Sequence, residues 1–170
     1  MAHAAELAID PKCLAVAGDS AGGTLAAVVW VPVSRLHFRL LFCPVTDIAP
    51  DNQSRREFAE GYFLEASLMS WAGTHYLPSG VDINDPRLSP LRAPDLSGLP
   101  PALIHTAGFD LLCDEGKAYA DALERAGVKV RHVCHEHMIH HFYAMAGAIP
   151  YARAALKAVG ADIKAALNPV

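Results

Sequence analysis

Six consecutive residues, Gly18-Asp19-Ser20-Ala21-Gly22-Gly23, limit the fold of this chain more than any others. They follow directly on the apolar run Cys13 to Ala17, and a stretch of small residues runs on from Ala21 to about Trp30. The first run reads as a strand and the second as a helix, so the serine stands at the apex of a sharp strand-to-helix turn. Bulky side chains two residues to either side of such a turn clash, and glycine at 18 and 22 removes those clashes. The turn also sets Ser20 at a helix N-terminus, where the Ala21 N–H can point at a developing oxyanion. A phosphate cradle is a poorer reading, because the six residues match neither the G-x-G-x-x-G nor the Walker pattern.

A serine is a poor nucleophile until a base takes its proton and a third group orients that base. Around a turn of this kind the partners follow in the order serine, acid, histidine, each at the C-terminal end of a strand. Asp110 meets the second requirement, since it follows the strand-like run Ala102 to Thr106 through Ala107-Gly108-Phe109. Asp114 and Glu115 compete with it, but the first turn of a helix suits them to capping and dipole complementation. The base belongs after a fourth strand, Lys129 to Cys134, and several histidines lie there. His132 falls within the strand and reads as structural. His140 and His141 fall in the following loop, and spacing alone does not choose between them. A metal reading competes: His135 and His137, with His140 or His141, could ligate zinc or nickel. His3, His37, His75 and His105 read as surface or packed histidines, and Glu136 as a solvated charge.

The rest of the chain alternates short apolar runs with helical segments. A short helix is expected over Ala4 to Ile9, a second strand over Arg39 to Cys43, and a helix near Glu65 to Tyr76. A loop from Leu77 to Pro100, a helix over Asp114 to Ala126 and an amphipathic helix over Pro150 to Leu167 complete the pattern. Strands that are apolar without alternation, separated by helices, indicate a mostly parallel sheet of about four strands with helices on both faces. Residues 1–170 read as one α/β domain. Tyr62, Phe63 and Trp71 are expected to fill the core in preference to an acyl pocket. The composition is 52% apolar and 19% charged, which hints at apolar surface for another body to cover. A net charge of −4 argues against a nucleic-acid partner, and no stretch reads as a membrane span or signal peptide. The four cysteines, Cys13, Cys43, Cys113 and Cys134, show no metal spacing and read as buried free thiols in a reducing cytoplasm.

Several of these segments together resemble the hormone-sensitive-lipase-like branch of the α/β-hydrolases, the bacterial family IV esterases. Gly18 to Gly23 matches that branch's nucleophile motif, and Cys43-Pro44-Val45-Thr46-Asp47 resembles its Tyr-Pro-Val-Thr-Asp strand end. Asp85 to Leu91 and Leu99-Pro100-Pro101-Ala102 are similar to its connecting loop, and Phe109 to Gly116 to its acid motif. Met138-Ile139-His140-His141-Phe142 resembles Met-Ile-His-Gly-Phe, with His141 where the family has glycine. The resemblance implies a triad of Ser20, Asp110 and His140, short-to-medium acyl esters as substrates, and no cofactor or metal. It also marks departures. The family's His-Gly-Gly-Gly oxyanion motif, its cap and its first strands have no counterpart here, leaving Ala21 as the one expected donor. The strand Cys13 to Ala17 is then an open edge, which predicts a homo-oligomer or a partner that supplies the missing half. Trp30 to Ser34 shortens the family's connection, and Pro32 should stop the helix. Two alternatives stand beside an esterase: a catalytically impaired fragment serving as a binding or assembly module, and a metal-binding protein built on the histidine cluster.

Overall fold

The computed structural model describes residues 3–10, 13–29 and 36–167. Within them run β1 (Leu14–Asp19), α1 (Ala21–Val28), β2 (Leu36–Phe42), α2 (Gln53–Glu57), α3 (Ala66–Tyr76), β3 (Ala102–Phe109), α4 (Cys113–Arg125), β4 (Val130–Ile139) and α5 (Pro150–Leu167). The expected stop at Pro32, and the rest of the Trp30 to Ser34 connection, lie outside the described residues. Residues 3–8 form hydrogen-bonded turns and not the expected helix. Leu7 and Ile9 donate to the carbonyls of His3 and Ala4, but Ala8 is left-handed at φ 52°, which ends the helical path within one turn.

The four strands lie in the order β1-β2-β3-β4, and every pairing is parallel. Alternate residues of the inner strands serve opposite faces. Leu41 and Ile104 pack against Ala26 of α1 and Tyr119, Ala120 and Leu123 of α4. Phe38, Leu40 and Leu103 pack against Val159 of α5 on the other side. Helices therefore cover both faces, which explains why β2 and β3 are apolar without alternation. Arg39 interrupts that pattern. Its guanidinium is buried between the helices, donating to the carbonyls of Ala27 and Pro100 and to the Tyr119 hydroxyl. β1 is an edge strand, with Ala15 and Ala17 exposed. No helix among the described residues is long and apolar enough to cross a membrane.

β3 and β4 both run further than their apolar cores suggest. β4 continues through the polar segment His135 to Ile139 because β3 continues beside it, pairing Thr106 with Cys134, Ala107 with His135 and Phe109 with Ile139. The register slips between Ala107 and Phe109, where a side chain on Gly108 would stand 2.2 Å from the Glu136 carbonyl oxygen. One consequence bears on chemistry: Asp110 and His140 are the next residues after the last matched pair. The polar stretch after Asp47 contains the short α2, capped by Asn52, whose side chain accepts from the Arg55 N–H at 2.9 Å.

Three aromatic residues depart from expectation. Phe63, in the segment before α3, is 57% exposed, and Trp71 is 60% exposed on α3, which has no fully buried residue. Tyr62 is half-buried and stacks on Phe109, with Phe58 edge-on to both. The cysteines depart as well: all four are free thiols, but only Cys43 is buried.

Candidate active site

Ser20 links β1 to α1 with φ 56° and ψ −121°, a region that non-glycine residues avoid. The surrounding bonds fix this strained link. The Ser20 N–H extends the sheet ladder to the Phe42 carbonyl at 2.9 Å, while the Ser20 carbonyl accepts the first helical bond, from Thr24, at 3.2 Å. Thr24 Oγ1 also donates to the Val45 carbonyl at 2.6 Å, which ties the helix to the segment after β2. A side chain at position 18 would overlap the Gly22 carbonyl oxygen at 1.9 Å, so glycine there is obligatory. The second steric constraint falls on Gly23, where a Cβ would meet the Pro44 Cβ at 2.9 Å. Position 22 is open, contrary to the sequence expectation, because the crowding at Gly22 involves its backbone and not the space where its side chain would stand. Ala21 is the first residue of α1, so its N–H has no partner within the helix and is available to an oxyanion.

Asp110 follows β3 directly and is buried. Its Oδ1 accepts the Leu112 N–H at 3.0 Å, and its Oδ2 lies 2.7 Å from Nδ1 of His140, which is also buried. The carboxylate thus holds one ring nitrogen, leaving Nε2 for other chemistry. His141 forms a separate pair: its Nδ1 lies 2.5 Å from Oδ2 of Asp19, the residue before the serine. The two neighbouring histidines, equivalent by spacing, therefore have different acids. The Asp19–His141 contact also draws the end of β4 to the end of β1, bringing the residue beside His140 against the residue beside Ser20. No hydrogen bond among the described residues joins the Ser20 hydroxyl to His140. His141 is left-handed at φ 62°, which gives a physical reason for the glycine at this position in the resembled motif.

The competing metal cluster of His135 and His137 with His140 or His141 is not assembled. His135 is buried and engaged at both ring nitrogens: its Nε2 lies 3.0 Å from His105 Nδ1 and 2.5 Å from the Tyr143 hydroxyl, and its Nδ1 lies 2.9 Å from the Tyr151 hydroxyl. His137 is exposed on the extended β4. Burial, then the neighbouring His135, push His105 down to about 3, so this inner pair is neutral. Among the described residues a different group, Cys43, Asp110 and His140, brings one potential ligand atom each within 4.8 Å of the others. It contains the acid–histidine pair itself. Burial first, and then the Asp110 charge, push the Cys43 thiol well above its ordinary range, so it stands protonated beside the carboxylate.

The competing carboxylates serve the scaffold. Asp114 Oδ2 accepts the Ser54 N–H at 2.8 Å, holding the start of α2. Glu115 is buried; its Oε1 accepts the Thr46 N–H at 3.1 Å and its Oε2 meets Arg55 at 2.8 Å. Sequence reasoning missed Cys43, Asp19 as the acid of His141, and the burial of Glu115. The position of Cys43 at the end of β2, one residue before Pro44, was the one available signal, since strand ends on this side of the sheet carry the other site residues.

Comparison with known proteins agrees with this architecture. Residues 1–144 match a family described as alpha/beta hydrolase fold. The carboxylic ester hydrolase LipN of Mycobacterium tuberculosis is 46% identical over 132 residues, which are 71% of this chain and 35% of that protein. The carboxylesterase NlhH of the same species is 39% identical, over 98% of this chain and 54% of its own length. A solved structure of a thermostable esterase from Pseudomonas putida superposes with a TM-score of 0.92 at 40% identity, over 99% of this chain and 56% of that one. The chain thus spans about half the length of the relatives that match it throughout. An all-parallel sheet, a strained serine between its first strand and helix, and a sequence match over most of the chain agree: this chain belongs to the alpha/beta hydrolase fold family.

Proposed function

We propose that this chain carries the nucleophile, base and orienting acid of a serine carboxylesterase, with Ser20, His140 and Asp110 in those roles. The observation that carries the proposal is the buried Asp110–His140 pair at 2.7 Å, set at the same sheet end as the strained Ser20. His140 Nε2 takes the Ser20 proton as the hydroxyl oxygen attacks the ester carbonyl. Asp110 keeps the remaining proton on Nδ1 and offsets the imidazolium charge. The Ala21 N–H stabilises the oxyanion. Loss of the alcohol leaves an acyl-serine, which water attacks with the same base. Short-to-medium acyl esters are the proposed substrates, and the free thiols suit a reducing, cytoplasmic setting.

The experiment is hydrolysis of a short-chain aryl ester, with fluorophosphonate labelling of the serine alongside. Ser20→Ala is expected to abolish labelling and to lower turnover by about 10⁶. Equal rates for the two proteins overturn the proposal. Labelling of Ser20 without turnover favours the catalytically impaired fragment.

The open edge of β1 is proposed as the surface through which copies of the chain associate. Light scattering after size exclusion is expected to find an oligomer, and a stable monomer at micromolar concentration refutes that association.

A further inference from the structure

Two of the four thiols meet at a place that ester chemistry does not use. Cys113 opens α4, and its N–H donates to the Asp110 carbonyl at 3.0 Å. Cys134 lies on β4 opposite Thr106 and is exposed. Their sulfur atoms are 4.0 Å apart, in van der Waals contact across 21 residues of chain. A disulfide needs about 2.05 Å between sulfurs, so closure asks for about 2 Å of side-chain movement between atoms that already touch. The two positions differ in access: Cys134 is open to solvent, whereas Cys113 is partly covered. Burial, followed by the neighbouring Cys134, pushes the Cys113 thiol up to about 12, so it is not the sulfur that begins an exchange.

We propose that Cys113 and Cys134 form a reversible dithiol–disulfide couple that exchanges with small disulfides such as oxidised glutathione. The Cys134 thiolate attacks one sulfur of the oxidant, and the first glutathione thiolate leaves with the electron pair of the broken S–S bond. Cys113 then gives up its proton and attacks the Cys134 sulfur of the mixed disulfide, expelling the second glutathione. Two protein thiols are oxidised by two electrons, one small disulfide is reduced to two thiols, and the two protein protons end on the departing glutathiones. The second step is favoured by contact, and also by the first, because a sulfur held in a mixed disulfide no longer opposes a negative charge on Cys113. The product bond joins the first residue of α4 to the middle of β4, closing a loop that contains the whole helix. Constraining that loop in the unfolded chain raises the melting temperature of the oxidised form. The couple is independent of the esterase assignment.

Incubation with oxidised glutathione, acid quenching, intact-mass measurement and non-reducing peptide mapping test the couple. The reactive thiol count is expected to fall by two with no retained glutathionyl mass. The map should show a Cys113–Cys134 cross-link that dithiothreitol reverses, and thermal melting should rise in the oxidised form. Cys113→Ser is expected to stop at a stable glutathione adduct on Cys134, and Cys134→Ser to block the cross-link altogether. A wild-type chain that retains glutathione on Cys134, cross-links between chains, or keeps its full thiol count refutes the couple.

Discussion

Asp110→Asn is expected to leave the chain folded and to lower ester turnover by about 10⁴, with most of the loss in kcat. Asparagine has nearly the shape of aspartate, and its carbonyl oxygen can still accept the Leu112 N–H that Oδ1 accepts at 3.0 Å. What changes is the other half of the group. The Oδ2 atom, 2.7 Å from His140 Nδ1, is an acceptor, and an amide NH₂ in its place is a donor. It favours the tautomer with the proton on Nε2, and a protonated Nε2 cannot take the Ser20 proton. The imidazolium that forms during attack also loses its buried counter-charge. Asp19→Asn provides the contrast, because Asp19 pairs with the exposed His141 and not with His140. It is expected to lower turnover far less. Steady-state kinetics on both variants, with circular dichroism as the folding check, separate the two acid–histidine pairs. Equal losses in the two variants, or none in Asp110→Asn, are the results that contradict the assignment.

The turn around Ser20 was legible in the sequence because its demands are local. A side chain at Gly18 collides with the backbone four residues on, so the constraint is written within the motif itself. Even so, the reason for Gly23 was out of reach, since it rests on Pro44 after the next strand. The helix Pro150–Leu167 was readable to the residue, with proline at its first position and an apolar stripe facing the sheet. The end of β4 was not. His135 to Ile139 has no strand-like alternation of apolar and polar residues, and it becomes strand because Ala107 and Phe109 offer a ladder across the bulge at Gly108. The same tertiary pairing dissolved the supposed metal cluster by burying His135 against His105 and leaving His137 in solvent. Spacing does not separate His140 from His141, whereas the structure gives each its own carboxylate, Asp110 for the first and Asp19 for the second. The Asp19–His141 contact spans 122 residues, and no local pattern encodes it.

Arg55→Ala is expected to destabilise the fold by about 2 kcal/mol at pH 8, and by less, about 1 kcal/mol, at pH 5. Glu115 is the reason. Its carboxylate is completely buried between α4 and the segment after β2, where Oε1 accepts the N–H groups of Thr46 at 3.1 Å and Asp47 at 3.5 Å. Arg55 is the cation that meets it, with Nε 2.9 Å from Oε2. Burial outweighs that arginine and the two amides, and pushes the Glu115 carboxyl from 4.5 up to about 7. The folded chain therefore holds a proton that the unfolded chain has already released. Between pH 4.5 and 7 the native state binds more protons, so this group's contribution to stability falls as pH rises through that window and is level above it. At pH 8 the group is charged in the wild-type chain, and without Arg55 the buried carboxyl takes up a proton, which one unit above a pKa of about 7 costs about 1.4 kcal/mol. At pH 5 it is protonated with or without the arginine, so little beyond a hydrogen bond is lost. Urea denaturation of the wild-type and Arg55→Ala chains at the two pH values measures the difference directly. A loss of the same size at both values means that the Arg55 side chain acts through packing alone, and that Glu115 carries no buried charge for it to balance.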